Sequence, residues 1–267
     1  MPGDSHFVRN ASIPRANQKH RLNLWIMSRR AKQLSFTDYR RRTGRGGPRP
    51  GAGRRPGPRP RVLHRAREPI PGECPVHVTL RVRRDVPSLR TQNLAREVRR
   101  TLADACERGE FRVAHYSIQR DHVHMIVEAH GRGALARGMK SIAARLARAV
   151  NRVFTRSGPV LDGRFHHRVL RTPREVRNAL AYVLLNARRH FAKRSRGRRP
   201  PVRLDAASSA RWFDGWKPAW RALLGPPGEE QGAPREVAAA HSWLLRVGWR
   251  RHGLVDPSEV PGVPTTA

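Results

Sequence analysis

The order of apolar patterns along residues 76–184 is the feature that most restricts what this chain can fold into. Apolar and polar residues alternate over residues 76–82, and strand-like segments follow at 111–119 and 122–129. A period of two is typical of strands that bury one face. Only Arg120 and Asp121 separate the last two segments, so we expect them to form a tight hairpin.

Three further segments have the period of amphipathic helices. The first extends from Ser88 to Gly109, where apolar residues recur every four positions and the glycine follows the expected helix end. The second covers residues 135–153 and stops before a Gly-Pro pair. The third begins with an N-cap residue, a proline at the first helical position and the glutamate of a capping box: Thr172, Pro173 and Glu175.

A fourth strand at residues 163–171 completes the order β-α-β-β-α-β-α. This order predicts an α+β fold of the ferredoxin-like or RRM-like type, with an antiparallel sheet and helices on one face. The other face of the sheet is then free to hold a site. We expect this folded domain at residues 72–195, between a disordered Arg/Pro/Gly-rich basic leader at 1–71 and a Trp-containing extension at 196–267. The extension is expected to be partly docked, with a disordered end.

The charge of the chain predicts a polyanionic partner. The chain has 55 Lys and Arg residues against 20 Asp and Glu residues. Its formal net charge of +35 is far more than solubility requires. Within the leader, residues 40–66 contain no acid and many Pro and Gly, so they cannot bury enough surface to offset chain entropy. Their arginines, Arg54 and Arg55 among them, are expected to contact phosphates. General charge neutralisation, as in ribosomal or histone-like proteins, is the alternative.

Other broad classes are disfavoured. No apolar run of about 18 residues exists, so we expect no membrane span. The two cysteines, Cys74 and Cys106, form no CxxC motif, which argues against a zinc knuckle or a disulfide framework and favours a reducing cytoplasm.

The third strand presents a candidate metal site. Because side chains alternate along a strand, His122 and His124 point the same way, while Val123, Met125 and Val127 point towards the helices. Two imidazoles at i and i+2 form a compact chelating pair for a divalent cation. Taken alone the pattern is a weak signal, because His-x-His also occurs by chance, and two ordinary histidines are the alternative.

The last predicted helix has a polar face that differs from its apolar stripe. Asn178, Tyr182, Asn186 and Arg189 follow each other at spacings of four, four and three. If this face lies against the open face of the sheet, His122, His124 and the Asn186 amide oxygen could ligate one cation. Such a metal polarises a phosphate, and attack by the tyrosine hydroxyl would give a 5′-phosphotyrosine. A boundary tyrosine bonded to a polar neighbour is the alternative.

These motifs resemble one family. HVH in a strand, followed after 182 − 124 = 58 residues by Tyr182 in YVLLNARRH, resembles the single-strand DNA transposases of the HUH type with one catalytic tyrosine. Within this IS200/IS605-like group the REP-associated tyrosine transposases are most similar, since they combine H-hydrophobic-H, an Arg-aromatic pair like Arg164-Phe165, and Tyr followed four residues later by Asn. The resemblance covers residues 75–190.

The resemblance implies a metal-dependent transposase or nickase that cleaves and rejoins single-stranded or hairpin DNA. Tyr182 is the implied nucleophile, and the implied ligands of Mg2+ or Mn2+ are His122, His124 and Asn186. We further expect a bacterial, cytoplasmic, nucleoid-associated protein without a membrane partner, with monomer and homodimer both left open. The DNA contacts are expected from basic residues of the domain and the leader: Arg164, Arg188, Arg189, Arg54 and Arg55.

The chain departs from the family at one position with structural consequences. Many relatives follow the Asn with Pro, whereas this chain has Ala187, so we expect the helix to continue through residues 188–190. The alternative function is a non-enzymatic, domesticated or inactive nucleic-acid-binding protein on the same fold. An RRM-like reader would expose aromatics on its central strands, but Phe111 and Tyr116 are expected on opposite faces.

Two further readings concern single features. Glu128 is expected to be solvated or paired with arginine, and with Asp121 and Asp162 it supplies too few clustered acids for a two-metal carboxylate nuclease. Residues 211–220 contain three tryptophans beside basic residues, which either stack unpaired bases or pack back onto the domain.

Overall fold

The computed structural model describes residues 69–195, 202–220 and 235–262, all within one compact unit. The predicted leader with Arg54 and Arg55 lies outside the described residues, apart from residues 69–71. The domain limits 72–195 and 196–267 stay predictions. The strands are β1 Val76–Arg81, β2 Glu107–Arg108, β3 Phe111–Ile118, β4 His122–Ala129 and β5 His166–Val169. The main helices are α1 Gln92–Ala103, α2 Gly131–Val153, α3 Pro173–Leu184 and α4 Asn186–Arg194.

The strands form one antiparallel sheet in the order β2-β3-β4-β1-β5. This confirms the predicted α+β fold, and β4 has the predicted bounds. The hairpin between β3 and β4 is tight, with the Gln119 amide donating to the carbonyl of His122 at 2.8 Å. The short strand β2 was not predicted, because α1 ends at Ala103 and Gly109, with φ +55°, serves the turn between β2 and β3.

Each face of the sheet has its own core. α1 and α2 cover one face, where strand residues such as Val78, Met125 and Val127 meet Leu94 and Met139 of the helices. α3 covers the opposite face through its apolar stripe, which consists of Val176, Leu180, Val183 and Leu184. The first two predicted helices, α1 and α2, therefore share one face of the sheet. The third, α3, lies on the face that carries the histidines.

A bulge in β3 changes which residues face the core. The pairing with β4 shifts between Val113 and His115, so the alternation of side chains is interrupted there. As a result Phe111 and Tyr116 both belong to the core under α1 and α2. The expectation that they lie on opposite faces was wrong, because a simple period of two does not include the extra residue.

Helix α3 begins where local signals predict, but it ends earlier than expected. Thr172 accepts a hydrogen bond from the Glu175 amide and Glu175 bonds back to the Thr172 amide, which confirms the predicted capping box. The helix expected to run on past Asn186 is instead interrupted at Leu185, whose φ of −107° and ψ of 17° leave the helical range. The chain then resumes as α4, so Tyr182 and Asn186 belong to different helices.

The C-terminal segment packs on the histidine-bearing side. The Glu128 carboxylate is buried and accepts hydrogen bonds from the amides of His241 and Ser242 at 2.8 and 2.7 Å. The expectation of a solvated or arginine-paired Glu128 was therefore wrong. The rings of Trp216 and Trp249 are buried in the core that also contains the apolar residues of α3. Their burial favours packing over base stacking for these two rings. Within the described residues, no helix is long and apolar enough to cross a membrane.

Candidate active site

The two histidines of the HVH motif converge. Both lie on β4, both are more than nine-tenths buried, and their Nε2 atoms are 3.0 Å apart. The Nδ1 atom of His122 is 2.7 Å from Oδ1 of Asp121, a geometry in which Nδ1–H donates to the carboxylate. The Nε2 atom of His122 then keeps its lone pair, as a metal ligand must.

Strand β1 orients His124. Thr79 pairs with His124 across the sheet, and its Oγ1 is 3.1 Å from Nδ1 of His124. Nε2 of His77 lies 3.2 Å from the same nitrogen. With the Nδ1 atoms of both motif histidines engaged, their Nε2 atoms point to one place, which is the arrangement of a bidentate nitrogen site.

Burial keeps the imidazoles of His124 and His77 neutral. It lowers the pKa of His124 to about 2, with smaller contributions from neighbouring His122, His77, His190 and Arg189. The pKa of His77 falls to about 4, again mainly through burial and secondly through Arg168. A neutral imidazole is the form that coordinates a cation, so the environment suits a ligand role.

Tyr182 stands beside the histidines. Its ring centre is 5.1 Å from that of His124, edge to face, and the guanidinium carbon of Arg189 lies 5.0 Å above the phenol ring. His122, His124, Tyr182 and Arg189 all line one open cavity of about 380 Å³. The structure thus brings the predicted nucleophile and two predicted metal ligands around one space.

Asn186 is placed differently. It is fully buried at the start of α4, and neither its amide oxygen nor its amide nitrogen has a hydrogen-bond partner. Unpaired buried polar atoms are costly, so such an atom calls for a partner. Asn186 does not line the cavity beside Tyr182, but His190, four residues further along α4, has its ring centre 6.2 Å from that of His122.

The donor set fits a divalent cation only if it includes the amide. Among the described residues no three His, Cys, Asp or Glu side chains are grouped to hold a metal. A site built on His122 and His124 therefore needs a ligand of another type, and the unpartnered oxygen of Asn186 is of the right chemistry. Two imidazoles and a carboxamide are suitable donors for a divalent cation, but Asn186 does not line the cavity that the two histidines share.

The predicted DNA-contacting arginines have different surroundings. Arg189 lines the cavity with Arg81 and Lys193, and Arg164 is exposed just before β5. Arg188 is buried instead, donating to the carbonyls of Ser258 and Glu259 at 3.1 and 3.2 Å. Its guanidinium holds the C-terminal segment in this structure. A DNA contact by Arg188 therefore stays a prediction, and the buried side chain presents little surface to DNA.

Sequence reasoning missed three neighbours of the histidines. His77 and Thr79 share a face of β1, but only the register with β4 places them against His124. His190 offered a signal that was available: it follows Asn186 by four residues, and residues at this spacing share a helix face. All three add polar or basic atoms next to the HVH pair.

Part of the chain matches a family of known proteins. Residues 72–167 match the family model described as "Transposase IS200 like". This segment is therefore similar to the IS200-like transposases, in agreement with the resemblance that the motifs indicate. The matched segment contains His122 and His124 and ends before Tyr182.

Three solved structures are similar to part of the chain. A REP-associated tyrosine transposase bound to a REP hairpin is 17% identical, with a TM-score of 0.40, over 48% of this chain and 74% of that one. A putative transposase from Deinococcus radiodurans R1 is 14% identical, with a TM-score of 0.32, over 36% and 78%. A bacterial tRNA(His) guanylyltransferase-like protein in complex with GTP is 14% identical, with a TM-score of 0.36, over 50% and 73%. A search of curated protein sequences found no significant match.

Proposed function

We propose that this protein is a transposase, a metal-dependent DNA endonuclease and strand transferase that uses Tyr182 as its nucleophile. Its substrate is single-stranded or hairpin DNA, cleaved and rejoined through a 5′-phosphotyrosine. The observation that carries the proposal is the placement of Tyr182 edge-on to His124, at 5.1 Å between ring centres, on the wall of an open cavity.

The surroundings of the tyrosines favour Tyr182 over Tyr116. The chain has three tyrosines. Tyr116 is fully buried and donates to the carboxylate of Glu236, and its burial beside that acid raises the pKa of the hydroxyl. Tyr39 lies outside the described residues. Tyr182 is half-buried and open to a cavity large enough for a phosphodiester.

The metal-binding role falls to His122, His124 and Asn186. The Nε2 atoms of the histidines and the Asn186 oxygen would hold Mg2+ or Mn2+, and Asp121 and Thr79 fix the orientation of the two rings. When bound, the cation would polarise the scissile phosphate and offset the charge developing on it.

The covalent step balances without a further reactant. The Tyr182 hydroxyl loses its proton and its oxygen attacks the phosphorus. The bond from phosphorus to the 3′ oxygen breaks, and this oxygen takes up a proton to leave as a 3′ hydroxyl, so protons balance overall. The Arg189 guanidinium lies 5.0 Å above the centre of the phenol ring, a cation–π contact that helps to hold the ring in place. Attack by a 3′ hydroxyl on the phosphotyrosine reverses these bonds, so rejoining needs no ATP.

The polarity of the cavity suits DNA. Its lining includes Arg81, Arg189 and Lys193 and no acidic side chain, which favours a phosphate chain. A non-enzymatic RNA reader on this fold is less well supported, since the aromatics Phe111 and Tyr116 lie in the core and not on the histidine-bearing face.

The test is a covalent adduct. Purified protein is incubated with labelled single-stranded oligonucleotides from the DNA flanking its gene, with Mn2+ or with EDTA, and resolved by denaturing electrophoresis. We expect a heat- and SDS-stable protein–DNA band that requires Mn2+, is absent in Tyr182→Phe and persists in Tyr116→Phe. DNA binding without any such band across these oligonucleotides would contradict the proposal and favour the non-enzymatic alternative.

A further inference from the structure

A second cavity adjoins the one beside Tyr182. It measures about 450 Å³ and is bounded by the β3–β4 turn, α4 and the chain near Arg203. His122 and His190 line both cavities, so the two spaces are neighbours that share one wall. A ligand held at His122 can therefore extend into either of them.

The second cavity is basic. Arg120, Arg194 and Arg203 line it and are exposed, and none of them forms a salt bridge with another described residue. The acid in the lining, Asp121, faces His122 at 2.7 Å. Exposed guanidinium groups without carboxylate partners suit a phosphate chain.

The same cavity contains an exposed aromatic ring. Phe191 of α4 is 38% exposed and lines this cavity together with a smaller one of about 110 Å³ next to it. A large apolar side chain left open between arginines is unfavourable in water unless something covers it. Aromatic rings flanked by basic groups stack unpaired bases, whatever their sequence, while the basic groups hold the phosphates.

We propose that this cavity is a nucleotide subsite in which an unpaired base of the DNA substrate stacks on Phe191. Arg120, Arg194 and Arg203 hold the phosphates on either side of that base. The subsite takes a nucleotide next to the scissile phosphate, because its wall includes the metal-site residue His122. It rests on the proposed function for its ligand, single-stranded DNA.

The test separates base stacking from phosphate binding. The full-length chain is titrated in EDTA, by fluorescence anisotropy, with an oligothymidylate of about 20 nucleotides and with an abasic strand of the same length. We expect Phe191→Ala to weaken binding of the oligothymidylate about 5- to 150-fold and to leave binding of the abasic strand unchanged. Phe191→Trp should bind like the unaltered chain.

Two matched variants complete the design. Trp243→Ala removes another exposed aromatic, 49% exposed on the C-terminal segment, which lines neither cavity, and should change neither affinity. Arg203→Gln should weaken both strands alike and lower the slope of log affinity against log salt by about 1. Phe191→Leu preserves an apolar side chain without a ring, so its loss of binding on the oligothymidylate alone excludes a folding defect.

The outcomes also separate this inference from the proposed function. Equal affinities of Phe191→Ala and the unaltered chain for oligothymidylate, equal loss on both strands, or no binding of oligothymidylate at all would overturn the subsite. Because the titration is done without metal, a failed covalent adduct with an intact Phe191 effect would refute the cleavage chemistry alone. An adduct formed by a chain whose Phe191→Ala variant binds normally would refute the subsite alone.

Discussion

Thr79 and His124 face each other across strands β1 and β4, with Oγ1 of the threonine 3.1 Å from Nδ1 of the imidazole. When this nitrogen donates its proton to Thr79, Nε2 of His124 is left with a lone pair that points towards Nε2 of His122, 3.0 Å away. The threonine therefore sets which nitrogen of His124 is available to a cation.

Replacing Thr79 tests whether its hydroxyl orients the imidazole of His124. Thr79→Val has a similar shape but removes the hydroxyl, so we expect Mn2+ affinity to fall about 10- to 100-fold. The measurement is a Mn2+ titration followed by electron paramagnetic resonance. Thr101→Val, at a buried threonine of α1, is the matched control and should bind Mn2+ normally. Unchanged affinity in Thr79→Val would mean that the threonine does not orient a ligand.

Glu128 should hold the C-terminal segment in place. It accepts two backbone hydrogen bonds while buried, so Glu128→Gln, which turns one acceptor into a donor, should lower the free energy of unfolding by about 1–3 kcal/mol. Urea unfolding gives the value, and limited proteolysis should show faster cleavage within residues 235–262. The control is Glu107→Gln, an exposed partner of Arg112, with an expected change of about 0–1 kcal/mol. Equal effects of the two variants would contradict this role.

Gly138 and Gly133 of α2 should respond in opposite directions to alanine. In a helix this change usually stabilises by about 0.5–1 kcal/mol, which we expect at Gly133, where only the flexible end of Arg137 is near. At Gly138 a β-carbon would overlap the ring of Phe111, so we expect destabilisation by about 1–3 kcal/mol. Thermal unfolding of the two variants gives the signs. Stabilisation by Gly138→Ala would show that Phe111 can move aside.

Protonation of His115 should destabilise the fold in acid. Burial lowers the pKa of His115 to about 4, so between the unfolded value near 6.5 and this folded value the unfolded chain binds more protons. Stability is therefore fully present above about pH 6.5 and falls towards pH 4, by about 2–3 kcal/mol from this group. Urea midpoints of His115→Asn should fall less steeply over this range. His252→Asn, at an exposed position, is the control, and an equal slope in both variants would contradict the assignment.

Features that depend on residues close together in the sequence were predicted correctly, and features that depend on distant residues were not. The capping box of Thr172 and Glu175 and the bounds of β4 depend on neighbours within a few residues, and both were predictable. The β3 bulge was not, because an inserted residue leaves the local pattern of apolar residues intact. The amides that bind Glu128 belong to residues 113 and 114 positions away, and nothing in the sequence near Glu128 indicates such a partner.

The candidate site divides in the same way. His122 and His124 were recognisable as a pair since they are neighbours on one strand, and Tyr182 because it departs from the apolar stripe of its helix. The contacts of His124 with His77 and Thr79 depend on the register between β1 and β4, which is set by the packing of the whole sheet. The helix is interrupted at Leu185, between α3 and α4. No proline or glycine lies at this position, so the sequence did not predict the interruption.

The most direct test of the account is to identify the residue that becomes linked to DNA. Trypsin cuts after Arg177 and Arg188, releasing NALAYVLLNAR, residues 178–188, in which Tyr182 is the only side chain with a hydroxyl group. After reaction with Mn2+ and nuclease trimming, mass spectrometry should find this peptide carrying a 5′-phosphonucleotide. A nucleotide found only on another peptide, such as one containing Tyr39, would contradict the assignment of Tyr182 as the nucleophile.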